Sequence, residues 1–390
     1  MQNWFEERAV GTEGNARLND ELARELSALG YAVKALPLEC VVWEHAPSSL
    51  RAGEQTVSIH PSPYSGGFEG ALEAASADSM DELAALDCAG KLLLLGGALA
   101  SEAIQPIGYP FYYPDEHRAL HELLARKAPA AILAGTGADA MSGLDPFPLF
   151  DDGNFPIPSA YIDRATLARV REALAPGARA FVRIASATRP ARAAQLVASR
   201  QGDGGRVLLA AHIDTKNGSP GALDNGAGVC VLLEAAKALA QSGLAVDVVP
   251  FNGEEYFAAS GEMSYLDLLT KRGETPALMI NIDSPCHLGS KLAVSAYNLT
   301  PAMTDALNAT LRRHPLVEPG DAWYAGDHAI FAFQSVPCLA LSSADLFTGA
   351  LARTHTPADL PETVDPALFA PAARFVAEVA EAVGRGGRGR

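Results

Sequence analysis

Five short segments constrain this chain more than any other feature, because each sets a side chain able to bind metal beside an apolar run or a tight turn. VLLAAHID ends in His212 and Asp214, VDVVPFNGEE in Glu254 and Glu255, and ALMINID in Asp283. GALDNGAG places Asp224 in a glycine-rich turn before a helix, and RTHTPAD places His355 in a loop after the last apolar run. Apolar strands that alternate with helices predict a mostly parallel central sheet flanked by helices. In open α/β sheets ligands gather beyond the carboxyl ends of the strands, where three of these segments end. The fold class expected is therefore α/β, with a smaller inserted α/β domain.

Taken singly, an imidazole or a carboxylate at a strand end is ordinarily a solvated or capping group. Their joint occurrence, in order and at successive strand ends, points to one site. Imidazole nitrogen with carboxylate oxygen suits zinc. Five such groups exceed one tetrahedral site, and two metals sharing a carboxylate account for the number. The loop between His212 and Asp224 is short enough to bring both to one point.

Around these segments the chain changes texture twice. Apolar residues recur at helical spacing from Glu13 to Leu29 (Leu18, Leu22, Leu26, Leu29), and Gly30 stops that helix before the extended run YAVKALPLECVVWE. From about residue 49 to 197 prolines, glycines and loops surround short regular pieces: GKLLLLGG as a buried strand, HRALHELLARKAP as a helix and AAILAGTG as a second strand. Strong alternation resumes after Gly205 and closes on a helix from about Pro366 to Val383. The expected organisation is a discontinuous catalytic domain of residues 1–48 and 198–383, an inserted domain of residues 49–197, and a disordered tail of residues 384–390, GRGGRGR.

Charge and composition narrow the partners. A formal net charge of −16 repels phosphate backbones, so no nucleic acid partner is expected. No stretch approaches the ~18 uninterrupted apolar residues of a membrane span, so no membrane partner is expected either. MQNWFEERAVGTEGN has no apolar signal-like region, and the five cysteines form no CxxC pair, so a cytoplasmic location is expected. A homo-oligomer is compatible with the sequence.

HID, GALDNGAG, NGEE, NID and THTPAD resemble, in order, the motifs of the co-catalytic di-zinc aminopeptidase family, which includes aminopeptidase Y and glutamate carboxypeptidase. The resemblance covers roughly Arg206 to Asp365, and GTEGNARLNDELARELSALGY is similar to the family's N-terminal helix. The insert resembles the protease-associated domain of several members. What this implies is a zinc-dependent exopeptidase, an aminopeptidase that hydrolyses N-terminal residues from peptides through a hydroxide bound by two zinc ions. Carried over by motif, His212 and Asp283 bind one zinc, Glu255 and His355 the other, Asp224 bridges them, and Glu254 is the general base. Asp214 orients the imidazole of His212, and the Asp224–Asn225 peptide is expected to be cis. GDHAIFAFQSVPCLAL is similar to the family's SDHxxFxxxGxP segment, which makes His328 and the nearby Tyr324 the substrate-binding candidates.

The departures from the family pattern lie around substrate binding: Thr215 and Lys216 where serine is common, YFAASGEMSYL after the paired glutamates, and NIDSPCH after the metal aspartate. They leave open a glutaminyl-cyclase-like or carboxypeptidase-like relative, and a non-catalytic binding protein.

Overall fold

The computed structural model describes residues 4–139, 142–175 and 177–386. The chain divides into two compact units, Met1–Cys40 with Ala191–Arg390, and Val41–Pro190.

In the first unit, Thr12 caps helix α1 (Glu13–Ala28) by accepting from the amide of Asn15, and Leu18, Leu22 and Leu26 form its buried stripe. The unit is organised by an eight-stranded sheet in the order β1-β9-β11-β10-β12-β15-β13-β14. These strands are β1 (Ala32–His45), β9 (Ser186–Arg200), β10 (Asp203–His212), β11 (Leu244–Phe251), β12 (Leu278–Ile282), β13 (Leu292–Tyr297), β14 (Val317–Pro319) and β15 (Cys338–Ser343).

The sheet is mixed. Its middle, β11-β10-β12-β15, is parallel, and β9 and β13 join it antiparallel. Strands β11, β12 and β15 are buried at every position, as is the end of β10, so they read as mainly apolar runs without polar alternation. The one charge inside β11, Asp247, is matched from three sides: Arg206 Nη1 at 2.9 Å, Arg272 Nη1 at 3.0 Å and the Tyr265 hydroxyl at 3.0 Å.

Helices fill the connections, α5 (Gly228–Leu239), α6 (Ser260–Arg272), α7 (Pro301–Leu311) and α8 (His328–Phe333), and α9 (Phe369–Gly386) follows the last strand. Gly273, at φ 63°, closes α6 with its amide on the carbonyls of Leu269 and Thr270. Helix α9 packs on α5, α7 and β10, and it runs to Gly386, into the stretch expected to be a tail; residues 387–390 lie outside the described residues. Among the described residues no helix is long and apolar enough to cross a membrane.

The second unit contains a closed barrel, β2-β3-β7-β6-β5-β4-β8. Its strands are β2 (Ser48–Ala52), β3 (Gln55–Pro61), β4 (Phe68–Ala77), β5 (Leu92–Leu95), β6 (Ala131–Thr136), β7 (Ser159–Asp163) and β8 (Arg179–Ile184), with helices α2 (Met80–Ala85), α3 (Asp115–Lys127) and α4 (Arg164–Ala173). The run LLLL makes physical sense here. Leu92 and Leu94 join one core with Leu50, Ile162 and Val182, while Leu93 and Leu95 join another with Leu124, Phe147 and Phe150. A strand buried on both faces needs apolar residues at every position rather than every second one.

Candidate metal centre

The site lies where the parallel strands of the sheet end. His212 is the last residue of β10, and the imidazole is almost wholly buried. Its Nδ1 faces the backbone carbonyl of Asp214 at 3.1 Å, which directs Nε2 outward to Asp224 Oδ1 at 3.0 Å and Asp283 Oδ1 at 3.6 Å.

Asp224 sits in a turn that several groups hold. Gly221, at φ 60°, begins it, and a Cβ there would come within 2.2 Å of Thr215 Cγ2 and 2.5 Å of the Asp224 carbonyl, so only glycine fits. The buried Arg8 donates to the carbonyls of Pro220 at 2.9 Å and Gly221 at 2.8 Å. Asp359 accepts from the amides of Leu223 at 2.7 Å and Asp224 at 3.0 Å. The Asp224–Asn225 peptide is cis. Asn225 then reaches across to β12, donating to the Ile282 carbonyl at 2.8 Å and accepting from the Ser284 amide at 3.2 Å, so the residues on either side of Asp283 are tied to the Asp224 turn.

After β11 the chain turns through Gly253, Glu254 and Glu255. The carboxylate of Asp214 organises this turn: Oδ1 accepts from the Gly253 amide and Oδ2 from the Glu255 amide, both at 3.0 Å. The expected role of Asp214 is thereby redistributed. Its backbone oxygen takes the His212 Nδ1, while its carboxylate, 3.9 Å from that nitrogen, shapes the glutamate turn. His355, at φ 60°, closes the site from the late loop, with Nε2 3.0 Å from Asp224 Oδ2 and 3.0 Å from Glu255 Oε1.

Two sets of donors result, His212–Asp224–Asp283 and Asp224–Glu255–His355, each with ligand atoms within 4.8 Å of one another. Asp224 belongs to both and turns one oxygen to each imidazole. Burial works against its charge, but His212 and His355 hold its carboxyl below the usual carboxylate range. Glu254 stands outside both sets. Burial, joined by Glu255, Asp283 and Asp224 and opposed by His212, holds its carboxyl well above the ordinary glutamate range.

The donor chemistry fits zinc: imidazole nitrogens and carboxylate oxygens converge, and the acids are buried with too little positive charge among them. Arg8 spends its guanidinium on backbone carbonyls, and Lys216 Nζ lies 3.4 Å from Glu255 Oε2.

The substrate-binding candidates fare differently. His328 is fully buried; its Nε2 donates to the Trp323 carbonyl at 2.9 Å and lies 3.2 Å from the Tyr297 hydroxyl. Burial, against the pull of that carbonyl, lowers its pKa to about 4, and its contacts tie it to the Trp323 loop. Tyr324 is exposed, stacked on Phe333 with ring centroids 5.2 Å apart, and no hydrogen bond joins it to either donor set among the described residues.

Sequence reasoning missed Arg8, Asp359 and Glu262. Asp359 stands in the quoted RTHTPAD segment, so its position was visible though its task was not; burial and Asp224 push its pKa up to about 6. Glu262 and Asp327 lie buried near the site, and burial followed by neighbouring acids raises both, Glu262 to about 7.

Part of the chain matches a family of known proteins. Residues 193–380 match the model of Peptidase family M28. The probable lipoprotein aminopeptidase LpqL of Mycobacterium tuberculosis is 26% identical over 277 residues, 67% of this chain and 51% of that protein. The chain thus spans about half the length of that curated relative. Among solved structures, an aminopeptidase from Aneurinibacillus sp. strain AM-1 superposes with a TM-score of 0.75 at 17% identity, covering 97% of this chain and 93% of that one. BSAP, a zinc aminopeptidase from Bacillus subtilis, gives 0.69 at 17% identity, covering 96% and 90%. These structures share the fold. Residues 193–380 are therefore similar to Peptidase family M28.

Proposed function

We propose, from a chain similar over residues 193–380 to Peptidase family M28, that this protein is an aminopeptidase that holds two zinc ions and releases N-terminal residues from peptides. The observation that carries this reading is Asp224, whose two oxygens each stand 3.0 Å from a different imidazole. His212 and Asp283 would hold one ion, Glu255 and His355 the other, and Asp224 would serve both. Zinc so held supplies a Lewis acid that polarises a peptide carbonyl and makes water acidic enough to react near neutral pH.

The chain's own groups supply the rest. Glu254, outside both donor sets, takes the proton of the attacking water on its carboxylate and returns it to the leaving amine. Asp214 sets the angle of that side chain through the Gly253 and Glu255 amides. Arg8 and Asp359 hold the backbone of the Asp224 turn through its carbonyls and amides.

The test is hydrolysis of aminoacyl p-nitroanilides by the purified protein, before chelation, after it, and after zinc is restored. Activity should vanish and return. Glu254→Gln should bind zinc as the native protein does and lose about 10²–10⁴-fold in kcat. A Glu254→Gln enzyme as fast as the native one would remove the general base from the mechanism.

A further inference from the structure

The two donor sets share Asp224 but are not equivalent, and the difference lies on Glu255. Its Oε1 faces His355 at 3.0 Å, while its Oε2 lies 3.4 Å from the ammonium of Lys216, which also donates to the Glu255 carbonyl at 3.2 Å. The corresponding acid of the other set, Asp283, has the Ser284 hydroxyl 3.3 Å from its Oδ1. One metal-facing carboxylate is thus shared with a full positive charge and the other with a neutral hydroxyl. Lys216 is one of the residues by which this sequence departs from the family pattern.

We propose that Lys216 is a positioning residue that makes the Glu255–His355 position the weaker and more exchangeable of the two zinc positions, an inference that rests on the two-metal reading above. An ammonium on the second oxygen of a carboxylate draws electron density from the first, and as a like charge it opposes a dication placed there. The carboxylate does not need Lys216 to stay in place. Asp214 holds the Glu255 amide at 3.0 Å, and the glutamate side chain is buried. Removing the ammonium should therefore act mainly through charge and strengthen the position. Loss of a partner of a metal ligand ordinarily weakens metal affinity, by about 10–100-fold; here the partner carries a charge of the metal's own sign, so its loss acts in the opposite direction, and a lysine with 27% of its side chain exposed belongs at the lower end of that range.

The experiment is a zinc titration of the metal-free full chain in competition with a chromophoric chelator at fixed pH, which needs no substrate. The native protein should take up two zinc ions in two unequal steps. Lys216→Met should tighten the weaker step about tenfold and leave the tighter one unchanged, whereas Lys216→Arg, which keeps the charge, should reproduce the native steps. A purely structural role would loosen binding instead. Unchanged or weaker binding in Lys216→Met, or an equal shift of both steps, overturns the assignment of Lys216 while leaving two bound zinc ions in place. Uptake of fewer than two ions by the native protein overturns the two-metal reading, and this inference with it.

Discussion

Both units contain neighbouring parallel strands that run from apolar residues into a sharp turn, yet the polar groups at their ends do different work. In the barrel, β5 runs into Gly96 and Gly97, which pack against Asp78, and β7 ends in Asp163, which accepts from the Thr166 amide at 2.8 Å and caps α4. That aspartate is spent on local structure. In the sheet, β10, β11 and β12 lead to His212, Glu255 and Asp283, which cap no helix and converge on Asp224 or on each other. Their backbone is held by other residues: Asp214 for the Glu255 turn, Asn225 for the Asp283 turn, and Arg8 with Asp359 for the Asp224 turn. A strand end becomes a chemical site when its local hydrogen bonding is delegated and its acids are left buried with unmet charge.

The largest break in this contrast should come from Asp224→Ala. It removes a ligand from both donor sets at once, so zinc uptake should fall at both positions and kcat/KM should drop by about three orders of magnitude or more, since a bound metal supplies several kcal/mol of stabilisation to the transition state. Activity that survives this substitution would show that the shared carboxylate is not the centre of the site. Asp359→Ala is next. It deletes the acceptor for the Leu223 and Asp224 amides without touching a ligand, so zinc affinity should weaken by about 10–100-fold and excess zinc should restore turnover. A loss of activity that excess zinc does not restore would mean that Asp359 does more than hold the turn. The smallest effect belongs to the barrel: Asp163→Ala should cost about 1 kcal/mol of stability, read by thermal or denaturant unfolding, with zinc affinity unchanged. A change in zinc affinity there would erase the distinction between the two kinds of strand end.

The same distinction explains what could be read from the sequence. That His212, Asp224, Glu255, Asp283 and His355 lie together was legible from their joint occurrence, in order, at strand ends and in turns and from the motifs they resemble, not from any one of them. The LLLL strand was legible because four leucines in a row have nowhere to go but two cores. Arg8 and Asp359 were not legible. They act on backbone carbonyls and amides, and any loop offers those, so nothing local marks the residue that will reach them.

Strand β9 was read as part of a loose region, because SATRPARA has no clean alternation; its exposed arginines instead pair with acids of β1, Arg192 with Glu39 at 3.1 Å and Arg189 with Glu44 at 2.9 Å. The antiparallel edges of the sheet are invisible to the βαβ pattern, because strand direction depends on how each connection crosses. His328 looked like a ligand-facing residue from its motif, but the polar partners that hold it, the Trp323 carbonyl and the Tyr297 hydroxyl, are set only by tertiary packing.

The central claim is that one carboxylate serves two metal positions. Its most direct test is the zinc content of the native protein and of Asp224→Ala after equilibrium dialysis against buffered zinc. Two zinc ions per chain in the native protein, with both positions weakened together in the variant, is the result predicted. One ion per chain in the native protein, or a variant that loses one position and keeps the other at native affinity, would contradict it.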